Sequence, residues 1–357
     1  MNLEDLGYSS FFESKRNELG LGDFSAARVV SEHKGAYKVQ NPNGEFLAKV
    51  TGKQMFTASS REDYPAVGDW VAITELNSEQ AVIKAVLPRR SIIKRKSSGK
   101  NLIQIIATNI DVAFVIESVD RDFNLNRIER YFAITKDGGI KPAIILNKTD
   151  LIPKEELDSK IGQIRNRFEN IDVFPTSTKT LEGLAELKSY FTKGNTYCFL
   201  GSSGVGKSSL INRLLEKELI KTKDISEYSG RGKHATTGRE MYFLENGGIV
   251  IDNPGMREVG LADAASGVEN LFDDIKSLAK GCKFNDCTHT HEPGCNVLAA
   301  VKNGEIEQGQ YSNFINLKKE ADYFGMTKLE KKEKSRSFGK FLNKAKKDLK
   351  DIGHKEY

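Results

Sequence analysis

Two short stretches stand in an order that few chain topologies allow. Asn147-Lys148-Thr149-Asp150 comes about fifty residues before Gly201-Ser202-Ser203-Gly204-Val205-Gly206-Lys207-Ser208. The later stretch has the spacing of a phosphate loop. It follows the apolar run Tyr197–Leu200 and runs into Ser209-Leu210-Ile211-Asn212, which reads as the opening of a helix. Glycines let a backbone wrap phosphate with its N–H groups turned inward, and the helix N-terminus adds its dipole. Lys207 is then placed to neutralise β- and γ-phosphate oxygens, and the Ser208 hydroxyl to ligate Mg²⁺.

The earlier stretch follows the apolar run Ala143–Leu146. A carboxylate at Asp150 can accept two hydrogen bonds from a guanine, at N1–H and at the exocyclic amine. Adenine would face it with a lone pair, and charge-assisted bonds of ~1.5–3 kcal/mol each make that a large discrimination. Asn147 is expected to brace the neighbouring loop, and the Lys148 stem to cover the base plane. Ser177-Thr178-Lys179, after Val173-Phe174, resembles a second guanine-contacting loop. Asp252-Asn253-Pro254-Gly255 follows Gly248–Ile251, with Asp252 expected on the Mg²⁺ side and the Gly255 N–H at the γ-phosphate. An ordinary GTPase presents its phosphate loop before its base reader. The reversed order predicts a circularly permuted GTPase.

Gly230-Arg231-Gly232-Lys233-His234-Ala235-Thr236-Thr237 lies between the phosphate loop and Asp252. A threonine there, Thr236 or Thr237, should complete the Mg²⁺ shell only when a γ-phosphate is present, which makes the segment a switch. Many GTPases carry a water-orienting Gln just after Asp-x-x-Gly. Met256 stands at that place and cannot orient water. His234 is the substitute, as a neutral imidazole able to hydrogen-bond the attacking water.

The surrounding pattern is α/β and multidomain. Val112–Ile116 and Ala143–Leu146 are continuous apolar runs, as buried parallel strands require, with a helical segment Leu125–Lys136 between them. Each nucleotide motif except the switch sits just after a strand, where doubly wound sheets bind ligands. Residues 1–22 read as an arm. From about Ser25 to Lys94 short alternating runs, with a turn cluster at Asn41-Pro42-Asn43-Gly44, predict a small β-barrel, OB-like or SH3-like. Ile93–Lys100 is basic and Ser/Gly-containing and reads as a linker. After about Leu261 the chain reads helical, broken by a Cys/His segment.

That segment holds Cys282, Cys287, His289 and Cys295. Three thiolates and an imidazole so close together fit a closed, structural tetrahedral Zn²⁺ site, with His291 the competing ligand. No apolar run reaches the length of a membrane span, and Met1–Gly7 carries no signal-peptide pattern, so a cytoplasmic protein is expected. The absence of extended heptads favours a monomer. Lys328–Tyr357 has eleven Lys/Arg and five Asp/Glu, net +6, against +5 for the whole chain. A basic appendage on a nearly neutral body points to a polyanionic partner, nucleic acid first.

With the permuted order, the N-terminal barrel and the C-terminal Cys/His segment in one chain, the sequence resembles the bacterial ribosome small-subunit-dependent GTPase A family. Asn124-Leu125-Asn126-Arg127-Ile128-Glu129-Arg130-Tyr131 and Asp286–Cys295 are close to its signature stretches. The resemblance implies an OB-fold barrel at 23–95, a permuted GTPase domain at 96–262 and a zinc-binding helical domain with a basic tail at 263–357. It implies GTP hydrolysis to GDP, stimulated by the small ribosomal subunit late in its maturation, with rRNA rather than DNA or a membrane as the contacted surface. Zinc ligation in the family falls on residues matching Cys282, Cys287, His289 and Cys295. Two positions depart from the pattern: Asn253 stands where the family usually has Thr, and Ala235 at the first Thr of its His-Thr-Thr-Thr stretch. The competing reading is a nucleotide-gated RNA-binding factor in which hydrolysis is incidental.

Overall fold

The structure, a computed structural model, describes residues 1–33, 35–52, 60–96, 103–120, 123–217, 239–252 and 265–353. Two compact units emerge, Met1–Gly260 with Ser266–Asp273, and Leu261–Ala265 with Asp274–Tyr357.

The first unit begins with a barrel of five strands: β1 (Ser25–His33), β2 (Ala36–Asn41), β3 (Gly44–Val50), β4 (Trp70–Glu75) and β5 (Gln80–Val86). Their order is β1-β2-β3-β5-β4, and β4 pairs back onto β1 to close the ring. β3 and β5 run parallel and the other neighbours antiparallel, the Greek-key topology of an OB-fold. Alternation drives it: Phe46 and Ala48 point inward, Glu45 and Leu47 outward. Val29, Val39, Phe46, Val71, Ile73 and Ile83 fill the interior. At the β2–β3 turn the Asn43 N–H donates to Asn41 Oδ1 at 2.8 Å, an Asx turn.

The N-terminal arm is not loose. Leu6 and Phe12 are fully buried with Trp70, and the Tyr8 ring meets Trp70 edge-on at 4.7 Å. Helix α1 (Ser10–Glu18) carries Phe12 into this cluster.

The expected linker at Ile93–Lys100 is a strand over its described part. β6 (Ile92–Lys96) pairs antiparallel with β7 (Ile103–Thr108). Charge and the Ser/Gly content suggested flexibility, but β-branched residues on both sides of Ser97-Ser98-Gly99 are a hairpin pattern. Ile93 is fully buried and anchors it.

The α/β sheet follows: β8 (Val112–Ser118), β9 (Lys141–Asn147), β10 (Val173–Thr176), β11 (Thr196–Leu200), β12 (Glu240–Phe243) and β13 (Ile249–Asp252). The order is β10-β9-β8-β11-β13-β12, parallel except for β12. Every residue of β8 is buried, as a central parallel strand demands. Helices α2 (Leu125–Asp137), α3 (Lys154–Arg167), α4 (Leu184–Tyr190) and α5 (Lys207–Leu215) accompany these strands. Asn124 caps α2 by accepting the Arg127 N–H. Phe114 sits among Phe174, Tyr190, Phe191, Tyr197 and Phe199, with ring centroids 5.5–6.0 Å away.

Barrel and sheet are joined. Ser31 of β1 pairs with Glu240 of β12. Arg28, 1% exposed, donates to Asn109 O at 3.2 Å, to Thr196 Oγ1 at 2.8 Å and to Leu6 O. One guanidinium from the barrel therefore ties down the arm, the β7–β8 loop and β11.

After α6 (Ala265–Leu271), the Cys/His segment lies between α7 (Asp273–Ala279) and α8 (Asn296–Lys302), followed in the second unit by α9 (Gln308–Gly325) and α10 (Lys328–Gly353). Ile275, Val297, Ala300, Ile306, Phe314 and Leu317 are among its buried residues. Among the described residues no helix is long and apolar enough to cross a membrane.

Removing Phe114 should leave a cavity in a core of stacked rings. Phe114→Ala is expected to cost about 3–5 kcal/mol, read as a lower urea midpoint with an unchanged m-value.

Candidate functional site

The site lies at the carboxyl ends of the parallel strands. β11 ends at Leu200 and the phosphate loop turns at once. Gly201, Gly204 and Gly206 have φ of +152°, +89° and +98°. A Cβ at Gly201 would sit 2.5 Å from Ile116 O, and one at Gly206 only 2.3 Å from Asn147 Nδ2. Both glycines are therefore required by close approach as well as by conformation. Val205 is fully buried and pins the loop to the core, while Ser203 and Gly204 are exposed. Lys207 Nζ donates to the carbonyls of Gly201 (2.7 Å) and Ser202, which holds the ammonium over the loop. Ser208 and Ser209 follow on the first turn of α5.

Asn147 joins this loop to the base-reading side. It ends β9, is fully buried, and donates from Nδ2 to Val205 O at 2.8 Å. Its Oδ1 accepts from Thr176 Oγ1 at 3.2 Å, at the end of β10. Lys148 takes a left-handed conformation, φ +64°, which turns the chain sharply after the strand. Thr149 is buried and Asp150 exposed. Ser177 Oγ donates to Asp150 Oδ1 at 2.6 Å and accepts the Lys179 and Thr180 N–H groups. Ser177 thus orients the carboxylate and shapes its own loop, with Thr178 half-buried and Lys179 exposed beside it. Chemically, the arrangement is able to present an oriented carboxylate to a base edge and a glycine loop to phosphates.

Sequence reasoning missed two further groups. Asp120, just past β8, pairs with Lys148 Nζ at 2.9 Å while its other oxygen accepts from Ser118 Oγ at 2.7 Å. The Tyr131 hydroxyl, on α2, shares a hydrogen bond with the Ser202 side chain, and burial raises its pKa so that it keeps its proton. Behind them the Glu117 carboxylate, fully buried, accepts two bonds of 2.8 Å from Arg127. Arg127 thereby ties the stretch Asn124–Tyr131 to β8, the strand beside β11. The available signal was its position after the first buried strand. Cys198, beside the loop, is buried, and burial pushes its thiol up and leaves it unreactive.

Asp252 ends β13 opposite Glu240. His234, Thr236, Thr237 and Gly255 lie outside the described residues, as do Asn253 and Met256.

In the second unit Cys282, Cys287, His289 and Cys295 offer donor atoms that all lie within 4.8 Å of one another. His289 Nδ1 is 3.6 Å from Cys282 Sγ and 3.5 Å from Cys295 Sγ, and those sulfurs are 3.9 Å apart. Tetrahedral zinc with ~2.3 Å sulfur and ~2.0 Å nitrogen bonds would place sulfurs about 3.8 Å apart and sulfur and nitrogen about 3.5 Å apart. The donor set fits. Burial lowers the His289 pKa and favours the neutral, metal-binding imidazole. The outer contacts are in place: Tyr311 donates to His289 O at 2.7 Å, and Leu298 N–H to Cys295 Sγ. His291 instead shares a 2.8 Å bond with Thr290 Oγ1. The Thr288 hydroxyl, then backbone N–H groups of the loop, hold the Glu292 carboxyl well below the usual carboxylate range.

The profile of the RsgA GTPase family matches residues 86–262. The chain is 37% identical over 349 residues to "Small ribosomal subunit biogenesis GTPase RsgA 1" of Bacteroides thetaiotaomicron, covering 97% of each chain. It belongs to the RsgA GTPase family. A second relative, "Small ribosomal subunit biogenesis GTPase RsgA 2" of Lactiplantibacillus plantarum, is 41% identical over 314 residues, covering 87% of this chain and 88% of that one. Among solved structures, YjeQ from Thermotoga maritima is similar with a TM-score of 0.62 and 27% identity, over 85% of this chain and 99% of that one. YloQ, described as a circularly permuted GTPase, shares the fold with a TM-score of 0.60 at 23% identity, over 84% and 95%. This RsgA-family chain thus has the permuted GTPase fold and the GTP-hydrolysing activity of its family.

Asp150→Asn removes the oriented carboxylate and should weaken GDP binding by about 100-fold or more, with ADP affinity unchanged, in titrations of a fluorescent nucleotide. Cys287→Ser should lower zinc content from about one ion per chain by metal analysis. It should also raise amide exchange across Cys282–Lys302 while GDP binding stays intact.

Proposed function

We propose that this chain is a GTP-driven switch in small ribosomal subunit biogenesis, stimulated by the subunit and released from it after hydrolysis. The observation that carries the reading is the junction at Asn147, which locks a base-reading loop to a phosphate loop in permuted order. The chain that carries it is close in length and sequence to relatives named small ribosomal subunit biogenesis GTPases.

In this reading Asp150, held by Ser177, selects guanine, with Asn147, Lys148, Thr149, Thr178 and Lys179 forming the base pocket. Gly201–Ser209 wraps the phosphates. Lys207 leaves its loop carbonyls for the β- and γ-oxygens. Ser208 and Asp252 would hold Mg²⁺, which when bound neutralises charge developing on the transferred phosphoryl group. Thr236 or Thr237 would join that shell, the Gly255 N–H would meet the γ-phosphate, and His234 would orient water. If His234 did not replace the glutamine missing at Met256, basal turnover would be slow and would need a partner.

The proposed organisation is an arm at 1–22, an RNA-binding OB barrel at 23–95, the permuted GTPase domain at 96–262 and a structural zinc domain with a basic tail at 263–357. Barrel and tail would contact rRNA, with no role for DNA or a membrane, and the protein would act as a cytoplasmic monomer.

GTP turnover measured with and without small ribosomal subunits, at two salt concentrations, tests this. A large stimulation that shrinks at the higher salt is expected; equal rates would remove the subunit as activator. His234→Ala should bind subunits with GTP yet fail to dissociate. If turnover is lost while release stays normal, nucleotide acts by binding alone.

A further inference from the structure

A second charged cluster lies away from the nucleotide, where the barrel, the β6–β7 hairpin and β12 meet. Arg239 opens this edge of the sheet, one residue before β12. It donates to Ile105 O in β7 at 2.9 Å and lies 3.5 Å from the Glu32 carboxylate in β1. Arg61 approaches the same carboxylate from the other side at 3.0 Å. Burial disfavours the charge on Arg239 most, Glu32 favours it, and the like charges of Arg95 of β6 and Arg61 oppose it less strongly. One carboxylate is therefore shared between two guanidiniums. A small open cleft lies between them, lined by Glu32, Arg61, Tyr64, Gln104, Ile105 and Arg239.

The cluster is rigidly built. Arg61 sits on a single 3-10 turn closed by a capping box between Ser60 and Asp63. Arg89 grips Asp69 with two bonds, 2.8 and 2.7 Å, and donates to the carbonyls of Glu62 and Tyr64 at 2.9 Å each. Arg239 is 15% exposed and Arg61 56% exposed, so one guanidinium forms the floor and the other the rim. Arg239, mostly buried, is screened less by solvent than the exposed Arg61, and the two charges exceed the one that Glu32 supplies. Planar guanidinium forks match phosphate oxygens.

We infer that this cleft seats a backbone phosphate of RNA, with a non-bridging oxygen entering between Arg61 and Arg239 and Glu32 as its built-in competitor. The inference deepens the proposed function and rests on it. The phosphodiester is favoured over an acidic peptide because the cleft opens on an OB barrel next to the basic β6–β7 hairpin. Arg239 also stands two residues after Thr237 in the chain.

The test is binding of the full-length protein, loaded with a non-hydrolysable GTP analogue, to small ribosomal subunits over a range of salt. Arg61→Ala should weaken binding roughly tenfold and flatten the log–log salt slope by about one. Glu32→Gln should tighten binding, because it removes the competitor, and should raise subunit-stimulated turnover. Basal turnover should stay within about twofold of wild type in both. A merely structural Glu32 would give the opposite sign, so weaker or unchanged binding by Glu32→Gln overturns the site. Both shifts should recur with protein-free small-subunit rRNA; shifts confined to intact subunits would assign a protein carboxylate and overturn the phosphate. Failure of the wild-type protein to bind subunits at all would instead sink the proposed function, and this inference with it.

Discussion

The nucleotide site depends on one buried amide. Asn147 spends its Nδ2 on Val205 O of the phosphate loop and its Oδ1 on Thr176 Oγ1 at the next strand. It leaves no room for a side chain at Gly206. An unsatisfied amide at this depth would cost about 1–3 kcal/mol, so both loops must keep their places for the core to be satisfied. The segments proposed to recognise base and phosphate are far apart in the chain, yet Asn147 holds them at a fixed separation. This is why the permutation is harmless to the site. What must be preserved is the set of strand ends, and the connections between them can be rerouted.

Much of this was legible in the sequence. Val112–Ile116 and Ala143–Leu146 read as buried strands because no polar residue interrupts them, and the chain puts Asn147 at the end of the second. The barrel was legible as alternation, but its closure was not. The parallel pairing of β3 with β5 is a long-range choice that periodicity does not encode. The β6–β7 hairpin was hidden by its charge: four basic residues outweighed Ile92 and Ile93 in the reading. Arg28 could not have been found at all. A lone arginine in a half-polar strand reads as solvated, and only the assembled fold shows three acceptors converging on it. Asp120 and Tyr131 are similar, since their partners Lys148 and Ser202 were visible but the pairing was not.

The charge pattern separates the two units by the job each charge does. In the first, buried ions are matched: Glu117 with Arg127, Asp69 with Arg89, Glu129 with Arg167. Such pairs specify geometry more than they stabilise. Arg28 relies instead on carbonyls and a hydroxyl, and Glu32 is shared between Arg61 and Arg239. In the second unit the buried polar groups are mostly sulfur and imidazole. Among the described residues its buried apolar side chains are few, and a metal held by four converging donors would be a further source of cohesion.

Strand order also has a consequence for the growing chain. β11, which launches the phosphate loop, lies between β8 and β13. β8 is synthesised well before β11, and β13 about fifty residues after it. The base-reading loop and its strand therefore leave the ribosome first and wait, while the phosphate loop lacks one wall until β13 emerges. A nascent chain can build its barrel and half its sheet without gaining grip on a nucleotide. Competence for GTP arrives late in translation, when the segment ending at Asp252 closes the sheet around the loop.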